Sequence, residues 1–198
     1  SIYHMSLVHW SASSFFQAIL IALLVTPFAL GFRSLAKRAG RKRRKDGTIL
    51  WALPLAFLVL GSLVAFYPIF MGNGQVLAQT LLSSQSIPYL PLTLAVKVLL
   101  VYLLLSNGAY GGTLTPSFAL GIGAGYLVTL LMTVVGIHLD PALGMLLGAT
   151  VFLGTTLQAP LTAIALSLGF TGQSLSLTIP LVLATGVSYV IRMRWEKR

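Results

Sequence analysis

The chain has 198 residues, 57% of them hydrophobic, and its charges are 13 Lys or Arg against 3 Asp or Glu. Charged residues make up 8% of it, where an ordinary soluble domain carries about 25%. Uncharged runs of 50, 42 and 51 residues lie between Asp46, Lys97, Asp140 and Arg192. A soluble fold cannot keep such runs off its surface, so composition excludes a soluble globular domain and a disordered one. It leaves an all-α polytopic membrane protein, read as a single transmembrane domain over residues 1–198.

The chain opens on Ser1 with no signal-peptide pattern, which is expected of a processed or truncated piece of a longer protein. The first apolar segment, Phe15 to Phe32, is close to the roughly 20 residues that a helix needs to cross the hydrocarbon core. Pro27 is expected to kink it. A basic loop at 33–47 follows, and Asp46-Gly47-Thr48 reads as a turn with Thr48 as N-cap. The second segment, Ile49 to Met71, returns across the membrane. Gly72-Asn73-Gly74 breaks the pattern before a short segment, Val76 to Leu82, and a polar, Pro-containing loop over 83–91.

The next run, Leu92 to Leu105, carries Lys97, the sole charge inside an apolar segment. Lys97 reads either as snorkelling to an interface or as facing a protein cavity. Residues 106–116, with Gly108, Gly111, Gly112 and Pro116, cannot be helical throughout. Three helices of awkward length are predicted next, Ser117 to Val135, Pro141 to Leu157 and Pro160 to Gly169. The last two meet at Gln158-Ala159-Pro160, a break at membrane depth. A final span, Ser176 to Met193, ends in a basic tail. No fixed-period repeat is present.

The net charge of +10 is concentrated in two places. Arg33, Lys37, Arg38, Arg41, Lys42, Arg43, Arg44 and Lys45 form one cluster, and Arg192, Arg194, Lys197 and Arg198 the other. Each follows an apolar segment, the pattern of loops retained on the cytoplasmic side of an inner or plasma membrane. A membrane topology accounts for these charges without nucleic acid as a partner. There is no cysteine, and His4, His9 and His138 lack metal-ligand spacing. No metal or cofactor is expected. No nucleophile, base and orienting group stand together, so no enzyme is expected and no residue reads as catalytic.

The breaks carry the functional signal. Non-helical backbone survives in a bilayer only where protein covers it or where it lines a watery cavity, and broken helices mark ion and substrate sites. Gly111-Gly112 permits close approach of a ligand, and Thr113-Leu114-Thr115-Pro116 starts a helix behind it. The amides of Thr113 and Leu114 would then face an anion at the positive end of the helix dipole. No acid lies inside a predicted span, which disfavours a cation path. Close helix packing at small residues, as at Gly121 and Gly125, stays open as the other reading.

Residues 106–121, from Ser106 through Gly111-Gly112-Thr113-Leu114-Thr115-Pro116 to Gly121, resemble the signature of the CLC chloride channel and antiporter family. Ala159-Pro160-Leu161-Thr162 resembles that family's Ala-Pro-Leu-Thr motif, and Gly72-Asn73-Gly74 is similar to its glycine-rich turn. The resemblance implies the C-terminal half of an inverted-repeat fold, with its N-terminal repeat and last helix expected to be absent. It implies anion binding at Gly111, Gly112, Thr113 and Leu114, with Pro116, Ala159 and Pro160 as pathway or structural breaks. It implies chloride or a similar anion as substrate, a lipid bilayer as environment, a homodimer, and a missing N-terminal half as partner.

The gating glutamate and the anion-binding serine of the family's first half have no counterpart in this chain. Tyr189 sits too early to be the tyrosine of the family's last helix, and the acid that often follows the second motif is replaced near Gly169. Channel and anion/proton exchanger are both compatible with these residues, as is fluoride in place of chloride. A membrane scaffold that does not transport is the alternative class.

Overall fold

A computed structural model describes residues 2–83 and 86–197, and every regular element among them is helical. The helices are α1 (Ala12–Arg41), α2 (Ile49–Phe66), α3 (Gln75–Leu82), α4 (Leu90–Ser106), α5 (Leu114–Val134), α6 (Pro141–Leu157), α7 (Pro160–Thr171) and α8 (Thr178–Glu196). Single 3₁₀ turns, Pro68–Phe70 and Leu175–Leu177, precede α3 and α8. Ser84 and Gln85 of the expected 83–91 loop, and Arg198 of the basic tail, lie outside the described residues.

The chain breaks where its punctuation is strongest. Pro141 and Pro160 each take the first position of a helix, where the missing N–H costs nothing. Asp140 caps α6 by accepting a hydrogen bond from the Ala142 amide at 2.9 Å. Between α6 and α7, Gln158 adopts φ +58° and Ala159 is extended, so the expected break is real.

Two boundaries and one cap depart furthest from expectation. Residues 33–41 are not loop: α1 runs on through the first half of the basic cluster, with Pro27 held inside one continuous helix. Lys and Arg are good helix formers, and cations are favoured at a helix C-terminus. The second span stops at Phe66 rather than Met71, because Pro68 disfavours helical backbone at Tyr67 before it. Thr48 occupies the N-cap of α2 without capping it; its hydroxyl instead donates to Asp46 Oδ1 at 2.6 Å. That bond, with Arg44 nearby, holds the Asp46 carboxyl below the usual carboxylate range.

The core forms around α6, in which every residue from Leu143 to Thr155 is buried. Helices α1, α5, α7 and α8 pack around it. Contact with α5 is the most extensive and runs backbone to backbone. A Cβ at Gly121 would lie 2.6 Å from the Gly148 carbonyl oxygen, and one at Gly125 would collide with the Gly144 carbonyl. Packing by small residues is therefore what Gly121 and Gly125 do. Gln17 ties α1 to this pair, its Nε2 donating to the Asp140 carbonyl at 2.7 Å.

The N-terminal strap crosses the end of α7. The amides of Ile2 and Tyr3 donate to the Phe170 carbonyl, and Gln173 holds Val8 and Ser6. Helix α2 behaves differently from the rest: it is 18 residues long and apolar, yet Ala56 is its one buried residue. Four helices, α1, α2, α5 and α8 with its preceding 3₁₀ turn, are long and apolar enough to cross a membrane.

The Arg33 guanidinium at the C-terminal side of α1 donates to Glu196 at the end of α8, 2.7 Å away. This ion pair brings the two basic clusters to the same end of the molecule.

Candidate functional site

The stretch between α4 and α5 is positioned from both sides. Asn107 ends α4, and the Ala109 amide donates back to the Leu104 carbonyl at 3.0 Å. Gly108 sits at φ +113°, with Ile49 of α2 filling the space where a side chain would stand. From the basic segment, the Arg44 amide donates to the Ser106 carbonyl, and the Arg43 guanidinium lies 4.4 Å from the centre of the Tyr110 ring. Cations thus flank the break.

Thr113 forms the N-cap of α5, and its side chain makes no capping bond. The first bonded amide is that of Ser117, which donates to the Thr113 carbonyl at 2.9 Å. Pro116 has no N–H to give. The amides of Thr113, Leu114 and Thr115 therefore have no hydrogen-bond acceptor among the described residues. A helix start with free amides and no acidic cap has the chemistry of an anion site.

Gly111 and Gly112 differ from the glycines of the helix core. Both are exposed, neither needs a positive φ, and a Cβ built on either would meet no described atom within 4 Å. The contrast with Gly121, Gly125, Gly144 and Gly148 is direct, because the first two and Gly148 are held against backbone and Gly144 against the Thr129 hydroxyl. Packing within this chain explains the second group and not the Gly111-Gly112 pair.

The residues in front of α5 line a cavity of about 200 Å³. Gly111, Gly112, Thr113, Pro116, Gly72, Asn73 and Lys97 line it, together with apolar residues of α2 and α4 such as Phe57, Leu60, Leu100 and Leu104. The two breaks that sequence placed some 40 residues apart, at Gly72–Gly74 and Gly111–Pro116, are thereby brought to one place. Gly74, at φ +103°, stands close to both: a Cβ built there would lie 2.8 Å from Ala119 Cβ, 3.6 Å from Lys97 Cε and 3.8 Å from Pro116 Cα. Leu114 does not line the cavity, since its side chain packs against the core beneath α5.

Ala159 and Pro160 stand elsewhere. Pro160 borders a separate narrow cleft with Thr155, Ser188 and Arg192. Thr155 and Thr156 bond back to carbonyls of their own helix, the ordinary use of a hydroxyl in helix packing. Sequence reasoning named Gly72-Asn73-Gly74 as a break without naming Asn73 as a site residue, and it passed over the Arg43–Tyr110 contact. Asp46 lies in the α1–α2 connection, Asp140 caps α6 and Glu196 pairs with Arg33, so none of the three acids lines the cavity. No group of three or more His, Cys, Asp or Glu that would hold a metal occurs among the described residues.

A family profile described as "Voltage gated chloride channel" matches residues 1–193. A solved structure titled "Crystal structure of a CLC-type fluoride/proton antiporter" shares the fold, with a TM-score of 0.72 at 23% sequence identity. That likeness covers 97% of this chain and 48% of the other, so the chain spans about half the length of that protein. No curated protein matches the chain.

Proposed function

The chain belongs to the voltage-gated chloride channel family, and on that premise we propose that it forms one repeat of an anion pathway across a membrane. The anion, chloride in the first instance, is held by the backbone amides of Thr113 and Leu114 at the start of α5, with Gly111 and Gly112 clearing its approach. Hydrogen bonds from such amides replace part of the ion's hydration shell without a formal charge at the contact. In this reading the other wall of the pathway comes from an N-terminal repeat. The working unit is a homodimer in an inner or plasma membrane. None of the chain's three acids lies inside a predicted span, so a proton-carrying carboxylate would be the other repeat's contribution.

One observation carries the proposal. Three unpartnered amides open behind a Gly-Gly pair that no described atom crowds, beside a cavity that none of the chain's acids lines.

The test is anion efflux from liposomes loaded with potassium chloride, and in parallel potassium fluoride. The chain is reconstituted alone and after co-expression with a matching first repeat. Efflux in either format supports the reading, and the faster anion names the substrate. Folded, membrane-inserted protein without efflux of either anion in both formats would leave the scaffold reading standing.

A further inference from the structure

Lys97 is the eighth of the seventeen residues of α4, near the middle of the helix, and is 2% exposed. Its ammonium donates to the carbonyls of Phe70 at 3.1 Å and Gly72 at 2.7 Å. Both acceptors are neutral, and the third ammonium proton has no acceptor among the described residues. The one ion pair among those residues, Arg33–Glu196, lies at an end of the molecule. A charge at this depth in low dielectric is costly without a counter-charge. Lys97 borders the cavity that holds the start of α5, and a Cβ built on Gly74 would lie within 4 Å of both Lys97 Cε and Pro116 Cα.

We propose that Lys97 is the cationic residue of this pathway: its charge draws an anion into the cavity beside the Thr113 and Leu114 amides, and the anion serves as its counter-charge. The inference rests on the anion reading above and adds to it a residue and a role. A merely structural lysine, one that only caps the carbonyls after α2, is the competing account.

The experiment is calorimetric titration, in detergent, of the chain purified together with a co-expressed matching first repeat, with sodium chloride and, separately, sodium fluoride. It compares the wild type, Lys97→Met, and Lys97→Met with Val101→Lys. Val101 lies one helical turn further along α4 and lines the same cavity. Removing the charge is expected to weaken binding at least about tenfold, and restoring it from position 101 to recover most of the loss. Wild-type affinity in Lys97→Met overturns the proposal. So does a loss that the second lysine fails to restore, because that marks a positioning role alone. Wild-type protein that binds neither anion overturns the anion reading itself. If Lys97→Met does not fold, Val101→Lys alone is compared with wild type; it is expected to tighten binding, and unchanged affinity overturns the proposal.

Discussion

Gly112 presents a hydrogen where other residues place a Cβ, and no described atom lies within 4 Å of that position. An alanine there fits the fold without moving a neighbour, and its φ carries no penalty for an L-residue. Gly112→Ala is therefore expected to leave the melting temperature within about 2 °C of wild type and to slow anion efflux, because the added methyl narrows the approach to the Thr113 and Leu114 amides. Unchanged efflux would show that the open face is not the anion's route. This distinction was out of reach of the sequence. Gly111, Gly112, Gly121 and Gly125 look alike as letters, and only the neighbours of each Cα tell an open glycine from a packing one. Lys97 is a parallel case. Its isolation in an apolar segment marked it as unusual, but a helix of nearly uniform hydropathy gives no clue to which face is buried.

At the scale of elements, α5 and α6 come together at Gly121, Gly125, Gly144 and Gly148. A methyl at Gly125 or Gly148 pushes directly on backbone, which cannot rotate away as a side chain can. Gly125→Ala or Gly148→Ala is expected to cost about 1–3 kcal/mol, the range for overpacking a close-fitted core. Thermal or denaturant unfolding in detergent measures it, and a neutral result would mean that the helices are not held this closely. The contrast with Gly112→Ala in one assay separates the two glycine groups. Element boundaries were legible where Pro and Gly punctuate the chain: α6 begins at Pro141 and α7 at Pro160, as the sequence indicated. The end of α1 was not legible, because a basic run reads equally well as a solvated loop or as the closing turns of a helix.

At the scale of the whole molecule, the Arg33–Glu196 pair puts both basic clusters at one end, and Arg43 against Tyr110 puts the break before α5 toward that same end. Helix α5 has 21 residues, about 32 Å at 1.5 Å per residue, so its far end and His138 fall on the opposite face. The chain has no cysteine, which makes single-cysteine labelling clean. Lys42→Cys and Lys197→Cys are expected to react with a membrane-impermeant maleimide from the cytoplasmic side alone, and His138→Cys from the other side. Labelling of Lys42→Cys and Lys197→Cys from opposite sides would contradict the fold. That the two basic clusters share one end was legible in advance, because each follows an apolar segment. The cavity was not, since it depends on two turns some 40 residues apart meeting at Gly74.

The central claim is that backbone amides at the start of α5 hold the anion. Its most direct measurement replaces the Leu114 amide with an ester, which removes one N–H and keeps the side chain. Chloride and fluoride affinities of that protein and of wild type are then compared by calorimetry. A hydrogen bond to a charged group contributes about 1.5–3 kcal/mol, so the ester is expected to bind roughly ten- to a hundredfold more weakly with the fold intact. Equal affinity in the ester and wild-type proteins would contradict the claim.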